Sequence, residues 1–186
     1  MTELETLLEN NKKFAATVQA EHAPMRTLPE ALPFVKAIII GCADMRVDPA
    51  HMLGIKTGEA VVLRNIGGRV TPGLLQQLGL LGRIGQVADA VPGGGGEFNI
   101  IVLHHTDCGI TRLNGDPDLL GSYFQVPEPE VSKKAVLDPR ESVKVDVAEL
   151  RKVEVLPAQW LLSGLIYDVQ TGRVETVVPP APIRAA

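Results

Sequence analysis

Two short apolar runs, Ala37-Ile38-Ile39-Ile40 and Ile100-Ile101-Val102-Leu103, constrain the fold of this chain more than any other feature. Neither alternates apolar with polar residues, so each reads as a strand covered on both faces. The first strand is expected over Val35 to Gly41 and is followed at once by Cys42; another, from Phe98 to Leu103, runs into His104 and His105. Doubly covered strands belong to parallel sheets, because the crossover connections between parallel strands place helices on the two faces.

The segments between these runs agree with that reading. Ala60 to Leu63 reads as a further short strand, followed by a glycine-bearing loop, Arg64-Asn65-Ile66-Gly67-Gly68. Leu74, Leu75, Leu78, Leu81 and Ile84 predict a helix from Pro72 to about Ala88, although Gly79, Gly82 and Gly85 each cost about 1 kcal/mol relative to alanine. Glu141 to Val155 also reads as a helix, and Leu161 to Val169 with Arg173 to Val178 flank Gln170-Thr171-Gly172 as a final hairpin. Residues 113–139, rich in Pro, Gly and Asp, are expected to wander over the surface. At the N-terminus Thr2 and Glu5 have the form of a capping box, and Leu4, Leu7, Leu8, Phe14 and Val18 predict an amphipathic helix over 3–19. A loop from Glu21 to Pro33, containing Pro24, Pro29 and Pro33, sets that helix apart, so its apolar stripe is expected to cover a partner subunit. The whole, residues 1–186, is expected to be one α/β domain with a mainly parallel sheet, residues 1–33 forming its arm.

Composition excludes several classes. The formal charge is −4 with no basic run, which gives nucleic acid nothing to hold. No apolar run approaches the roughly 20 residues of a membrane span, and no basic segment leads into an apolar one at the N-terminus, so a cytoplasmic protein is expected. The glycines at 93–96 are followed by no Gly-Lys-Ser/Thr and read as a connector.

The chain has two cysteines, Cys42 and Cys108, and both follow strand ends. With His105 they form a donor set suited to zinc: three protein ligands and one open position is the catalytic arrangement, whereas closed structural sites use four. If the two strands are neighbours, the three side chains meet in the crevice beyond the carboxyl ends of the sheet. Asp44 and Arg46 stand two residues apart just past Cys42, where an arginine fork would hold a carboxylate beside the metal. Asp44 could instead close the shell as a fourth ligand. His51 and His22 could relay protons, though both read as surface histidines.

Cys42-Ala43-Asp44-Met45-Arg46-Val47, then Arg64-Asn65-Ile66-Gly67-Gly68, then His105-Thr106-Asp107-Cys108-Gly109, resemble the β-class carbonic anhydrases in order and spacing from about Ile38 to Thr111. The His-His-Thr-Asp-Cys-Gly form is similar to a short branch of that family that also contains carbonyl sulfide hydrolases. The resemblance implies a sheet of order 2-1-3-4 with a C-terminal hairpin strand, and an N-terminal helix packed on a partner in a homodimer or higher even oligomer. It implies one Zn2+ per chain on Cys42, His105 and Cys108, with Asp44 and Arg46 as a catalytic dyad. The expected reaction is attack by a metal-bound hydroxide on a linear triatomic substrate: hydration of CO2 to bicarbonate, or alternatively hydrolysis of COS to CO2 and hydrogen sulfide. A non-catalytic zinc scaffold and a Cys42–Cys108 redox module are the competing classes. Three positions depart from the family pattern: Pro33 stands where a bicarbonate-binding Gln is common, Gly68 for Asn, and His104 for Gly.

Overall fold

In the computed structural model, which describes residues 2–20, 26–88, 90 and 92–185, the apolar runs become neighbouring strands. The strands are β1 (Ala37–Cys42), β2 (Ala60–Asn65), β3 (Asn99–His105), β4 (Leu161–Tyr167) and β5 (Val174–Pro182). They form one five-stranded sheet in the order β2-β1-β3-β4-β5. The first four are parallel, and β5 returns antiparallel to β4, as the hairpin reading anticipates. Asp168 makes that return: its Oδ1 accepts from the N–H groups of Gln170 (2.9 Å) and Thr171 (2.8 Å), and Gly172 follows at φ 71°.

The helices are α1 (Glu3–Ala20), α2 (Leu28–Ala31), α3 (Pro49–Leu53), α4 (Pro72–Val87), α5 (Pro117–Phe124), α6 (Glu128–Val131) and α7 (Pro139–Arg151). The capping box of α1 is formed: Thr2 N–H donates to Glu5 Oε2 (2.7 Å) and Glu5 N–H to Thr2 Oγ1 (3.2 Å). Its apolar stripe is uncovered within the chain, with Leu4 and Phe14 each 64% exposed.

Two stretches expected as loops are helical. Between Glu21 and Pro33 the structure has α2 and a 3-10 turn at Leu32–Phe34. The Glu30 carboxylate accepts from both the N–H (3.1 Å) and the hydroxyl (2.8 Å) of Thr27, and Pro29 sits in the first turn, where its missing N–H costs nothing. Pro24 and His22 lie outside the described residues. Residues 113–139 do not wander: they fold into α5 and α6, and Leu120, Phe124, Val131 and Val136 are buried against Cys42 and Cys108. Pro117 and Pro139 here open helices, each preceded by an aspartate whose carboxylate accepts backbone N–H groups, from Leu119 for Asp116 and from Arg140 and Glu141 for Asp138.

β1 is buried along its whole length, and burying each of its isoleucines contributes roughly 1.5–3 kcal/mol. Ile38, Ile40, Ile100 and Val102 face α4 and α7 through Leu74, Leu78, Val143, Val147 and Leu150, while Ile39 and Leu103 face Met52, Leu53 and Ile55. α7 lies close on β4 because position 164 is glycine; a Cβ there would stand 2.3 Å from Val143 Cγ1. β1 connects to β2 on one side and β3 to β4 on the other, so the strand order reverses between β1 and β3. Ligand crevices of open α/β sheets form at such a point. Among the described residues no helix is long and apolar enough to cross a membrane.

Candidate metal centre

β1 delivers Cys42 and β3 delivers His105 to the two sides of the switch point, in a register that pairs Gly41 with Leu103. The chain then turns through Thr106 and Asp107, the latter at φ 51°, a left-handed conformation that aspartate tolerates, and brings Cys108 back over the crevice. The donor atoms of Cys42, His105 and Cys108 all lie within 4.8 Å of one another, and all three residues are buried. The two sulfurs are 3.7 Å apart and both thiols are free. Two sulfurs each about 2.3 Å from one tetrahedral ion stand about 3.8 Å apart, so the spacing fits a shared metal. His105 supplies a second test. Its Nδ1 donates to the Thr106 carbonyl (2.8 Å), which leaves Nε2 as the lone-pair nitrogen, and Nε2 is buried with no hydrogen-bond partner. A metal-binding histidine held through its other nitrogen has this arrangement.

The electrostatics of the donor set favour a cation. The hydrogen bond from the Cys108 thiol holds Cys42 well below the usual thiol range, against burial, while its bond to Cys42 and burial push Cys108 up. The pair gives up one proton readily and the second only when a positive charge stands beside the sulfurs. Burial works against charge on His105, yet the neighbouring Cys42 outweighs it and raises its pKa.

Beside the triad, Asp44 is gripped by Arg46: Oδ1 accepts from the Arg46 N–H (2.9 Å) and Nε (3.0 Å), and Oδ2 accepts from Nη2 (2.8 Å). These hydrogen bonds hold the Asp44 carboxyl far below the usual carboxylate range. Asp44 Oδ2 stays 3.9 Å from His105 Nε2, and its N–H donates to Cys42 Sγ (3.4 Å). The expected fork is therefore formed, and in this conformation Asp44 is committed to Arg46. His51, the other relay candidate among the described residues, is exposed on α3.

Two partners of this dyad escape a reading of the sequence. Arg46 also donates through Nη1 to Asp107 Oδ2 (2.8 Å) and through Nη2 to the Asp107 carbonyl (2.9 Å), so Asp107 holds the fork from behind. Arg64 donates to the carbonyls of Cys42 (2.9 Å), Asp44 (2.7 Å) and Val47 (2.7 Å) and ties the loop after β1 to the end of β2. An acidic residue next to a ligand, opposite a lone arginine, is the signal for Asp107; backbone-directed contacts such as those of Arg64 leave none.

A cavity of about 280 Å3 adjoins the triad, lined in part by His105, Cys108, Ile110 and Val136. His104 and Gly68, two of the departures, meet behind it. His104 Nε2 lies 3.1 Å from the Gly68 carbonyl and 3.2 Å from Asp146 Oδ2, both acceptors, so Nε2 carries the hydrogen; Nδ1 is 2.9 Å from Ser142 Oγ. Gly68, at φ 67°, presses on β1, and a Cβ there would stand 2.9 Å from the Cys42 nitrogen. Pro33 is exposed in the 3-10 turn before β1.

The family profile described as carbonic anhydrase matches residues 37–174, from the start of β1 to the start of β5. The chain belongs to the β-carbonic anhydrase family. One relative in the family, β-carbonic anhydrase 1 of Mycobacterium tuberculosis, is 33% identical over 188 residues, covering 96% of this chain and 100% of that protein. The carbon disulfide hydrolase of Acidianus sp. (strain A1-3) is 27% identical over 161 residues, covering 73% of this chain and 74% of its own. The crystal structure of a carbonic anhydrase from Streptococcus mutans superposes with a TM-score of 0.67 at 31% identity, over 95% of this chain and 98% of that one.

Proposed function

We propose that this β-carbonic anhydrase family member hydrates CO2 to bicarbonate at a zinc ion held by Cys42, His105 and Cys108. One observation carries the proposal: three buried donors at the spacing of a tetrahedral ion, with a carboxylate already fixed beside them. When bound, such a metal lowers the pKa of water from 15.7 towards about 7. The chain supplies the rest. Asp44, kept ionised by Arg46, accepts a hydrogen bond from the nucleophile and aligns its lone pair with the substrate carbon; so stable a carboxylate orients the proton rather than storing it. Asp107 and Arg64 keep Arg46 and the loop in register, which confines Asp44 to one geometry. The apolar wall of Ile110 and Val136 admits a linear, weakly hydrated triatomic and offers it no competing hydrogen bonds.

A sulfur analogue, COS, is the second reading, and the carbon disulfide hydrolase among the relatives favours it. A sulfur-for-oxygen change is worth only about 1–3 kcal/mol of discrimination in an apolar pocket. Stopped-flow CO2 hydration between pH 7 and 9, run beside sulfide release from COS, ranks the two substrates. Inactivity towards both, with zinc bound, leaves the non-catalytic scaffold. Asp44→Asn is expected to lower turnover about a hundredfold while keeping zinc content unchanged. Unaltered turnover would remove Asp44 from the mechanism.

We further propose that the chain works as a homodimer in which α1 lies on the partner. The exposed stripe of Leu4, Leu7, Leu8 and Phe14 supports this, since an isolated amphipathic helix of 18 residues gains little stability until its apolar face is covered. Light scattering is expected to give twice the chain mass, and truncation of residues 2–20 to give a lower state; a monomeric full-length protein rules the arrangement out.

A further inference from the structure

The mechanism leaves one buried cation unused. Arg69, directly after the Gly67-Gly68 turn, is 1% exposed, yet it lines the cavity that also holds His105 and Cys108. Its Nε donates to Asp146 Oδ2 (2.7 Å), and its Nη2 donates to Asp146 Oδ1 (3.2 Å) and to the Lys134 carbonyl (2.7 Å). The Phe124 ring lies 5.0 Å from the guanidinium carbon. Nη1 is buried and has no acceptor.

Asp146 pairs one edge of this cation and leaves Nη1 without an acceptor. Its Oδ2 also accepts from the Val70 N–H (3.1 Å) and faces His104 Nε2 (3.2 Å), so that oxygen has no lone pair to spare for Nη1. A guanidinium edge with an unused N–H, planar and shielded from water, suits a small flat anion that can accept from it directly. A water could satisfy Nη1 as well, and the identity of the occupant is what a soak reads.

We propose that Arg69 Nη1 forms a subsite for a small planar monoanion of the bicarbonate type, within the cavity next to the metal triad. The choice of anion rests on the proposed reaction, whose product is such an ion; the existence of the subsite rests on the geometry of Arg69. An anion received there leaves the nucleophile's position free for the next water.

Nitrate, flat and singly charged, is the probe. Crystals of the zinc-loaded protein soaked in nitrate are expected to show it within hydrogen-bond distance of Arg69 Nη1, and chelator-treated protein is expected to keep it there. Arg69→Lys retains a charge for Asp146 but loses the second edge, and is expected to weaken nitrate binding by titration calorimetry at least tenfold with an unchanged circular dichroism spectrum. Nitrate found only at the metal, a water alone at Nη1, or equal affinity in Arg69→Lys overturns the proposal. If Arg69→Lys does not fold, the position of nitrate in the parent crystals decides. Nitrate at Nη1 in a protein inactive towards CO2 and COS would fell the proposed reaction and leave the subsite standing, whereas an active enzyme without it does the reverse.

Discussion

His105→Ala is expected to leave the purified protein without stoichiometric metal and its CO2 hydration at background. Loss of a group that merely orients a ligand typically costs 10- to 100-fold in metal affinity, so removal of a ligand is expected to cost more than about 100-fold. Two sulfurs 3.7 Å apart would remain, while the nearby Asp44 carboxylate is held by Arg46 rather than by the ion. Metal analysis after desalting, with circular dichroism to confirm folding, is the measurement. A variant that keeps one zinc per chain would mean that the ion sits elsewhere, and the proposed reaction would lose its site.

Asp146→Asn is expected to have the largest effect on stability, lowering it by about 3–5 kcal/mol at pH 7 in urea unfolding, because it leaves Arg69 charged and uncompensated in the interior. The pH dependence has a definite sign. Burial alone would raise the Asp146 pKa, but the His104 hydrogen bond and the Arg69 charge outweigh it, and the folded-state pKa lies below the unfolded value of about 3.9. A carboxyl with a depressed folded pKa contributes stability above its unfolded pKa and loses it as pH falls through the folded one. The gap between parent and variant should therefore hold between pH 7 and 5 and narrow below about pH 4. A gap that widens in acid would show that Asp146 is not the ionised partner of Arg69.

The positions read correctly from sequence are those whose environment is set by near neighbours along the chain. Ile38 to Ile40 without alternation announced a doubly covered strand, Thr2 with Glu5 a helix start, and Gln170-Thr171-Gly172 a hairpin, because backbone geometry and burial act there over a few residues. Cys42, Asp44, Arg46, His105 and Cys108 could be singled out as candidates for a related reason: their chemistry is written in residue type, and strand ends give them a common place. Composition misled over residues 113–139: their Pro, Gly and Asp read as a surface loop, yet Pro117 and Pro139 each open a helix behind a capping aspartate, and the segment walls the site.

By itself the sequence determined the kinds of strand and singled out the candidate donors and the Asp44–Arg46 pair, since spacing and side-chain chemistry are local. Tertiary structure alone decided that Arg69 would meet Asp146, 77 positions away, and that Asp107 would back Arg46 from 61 positions away. Those pairings follow from which strands and helices become neighbours, and neighbours are chosen by burial of the whole sheet. No short stretch of chain carries that information.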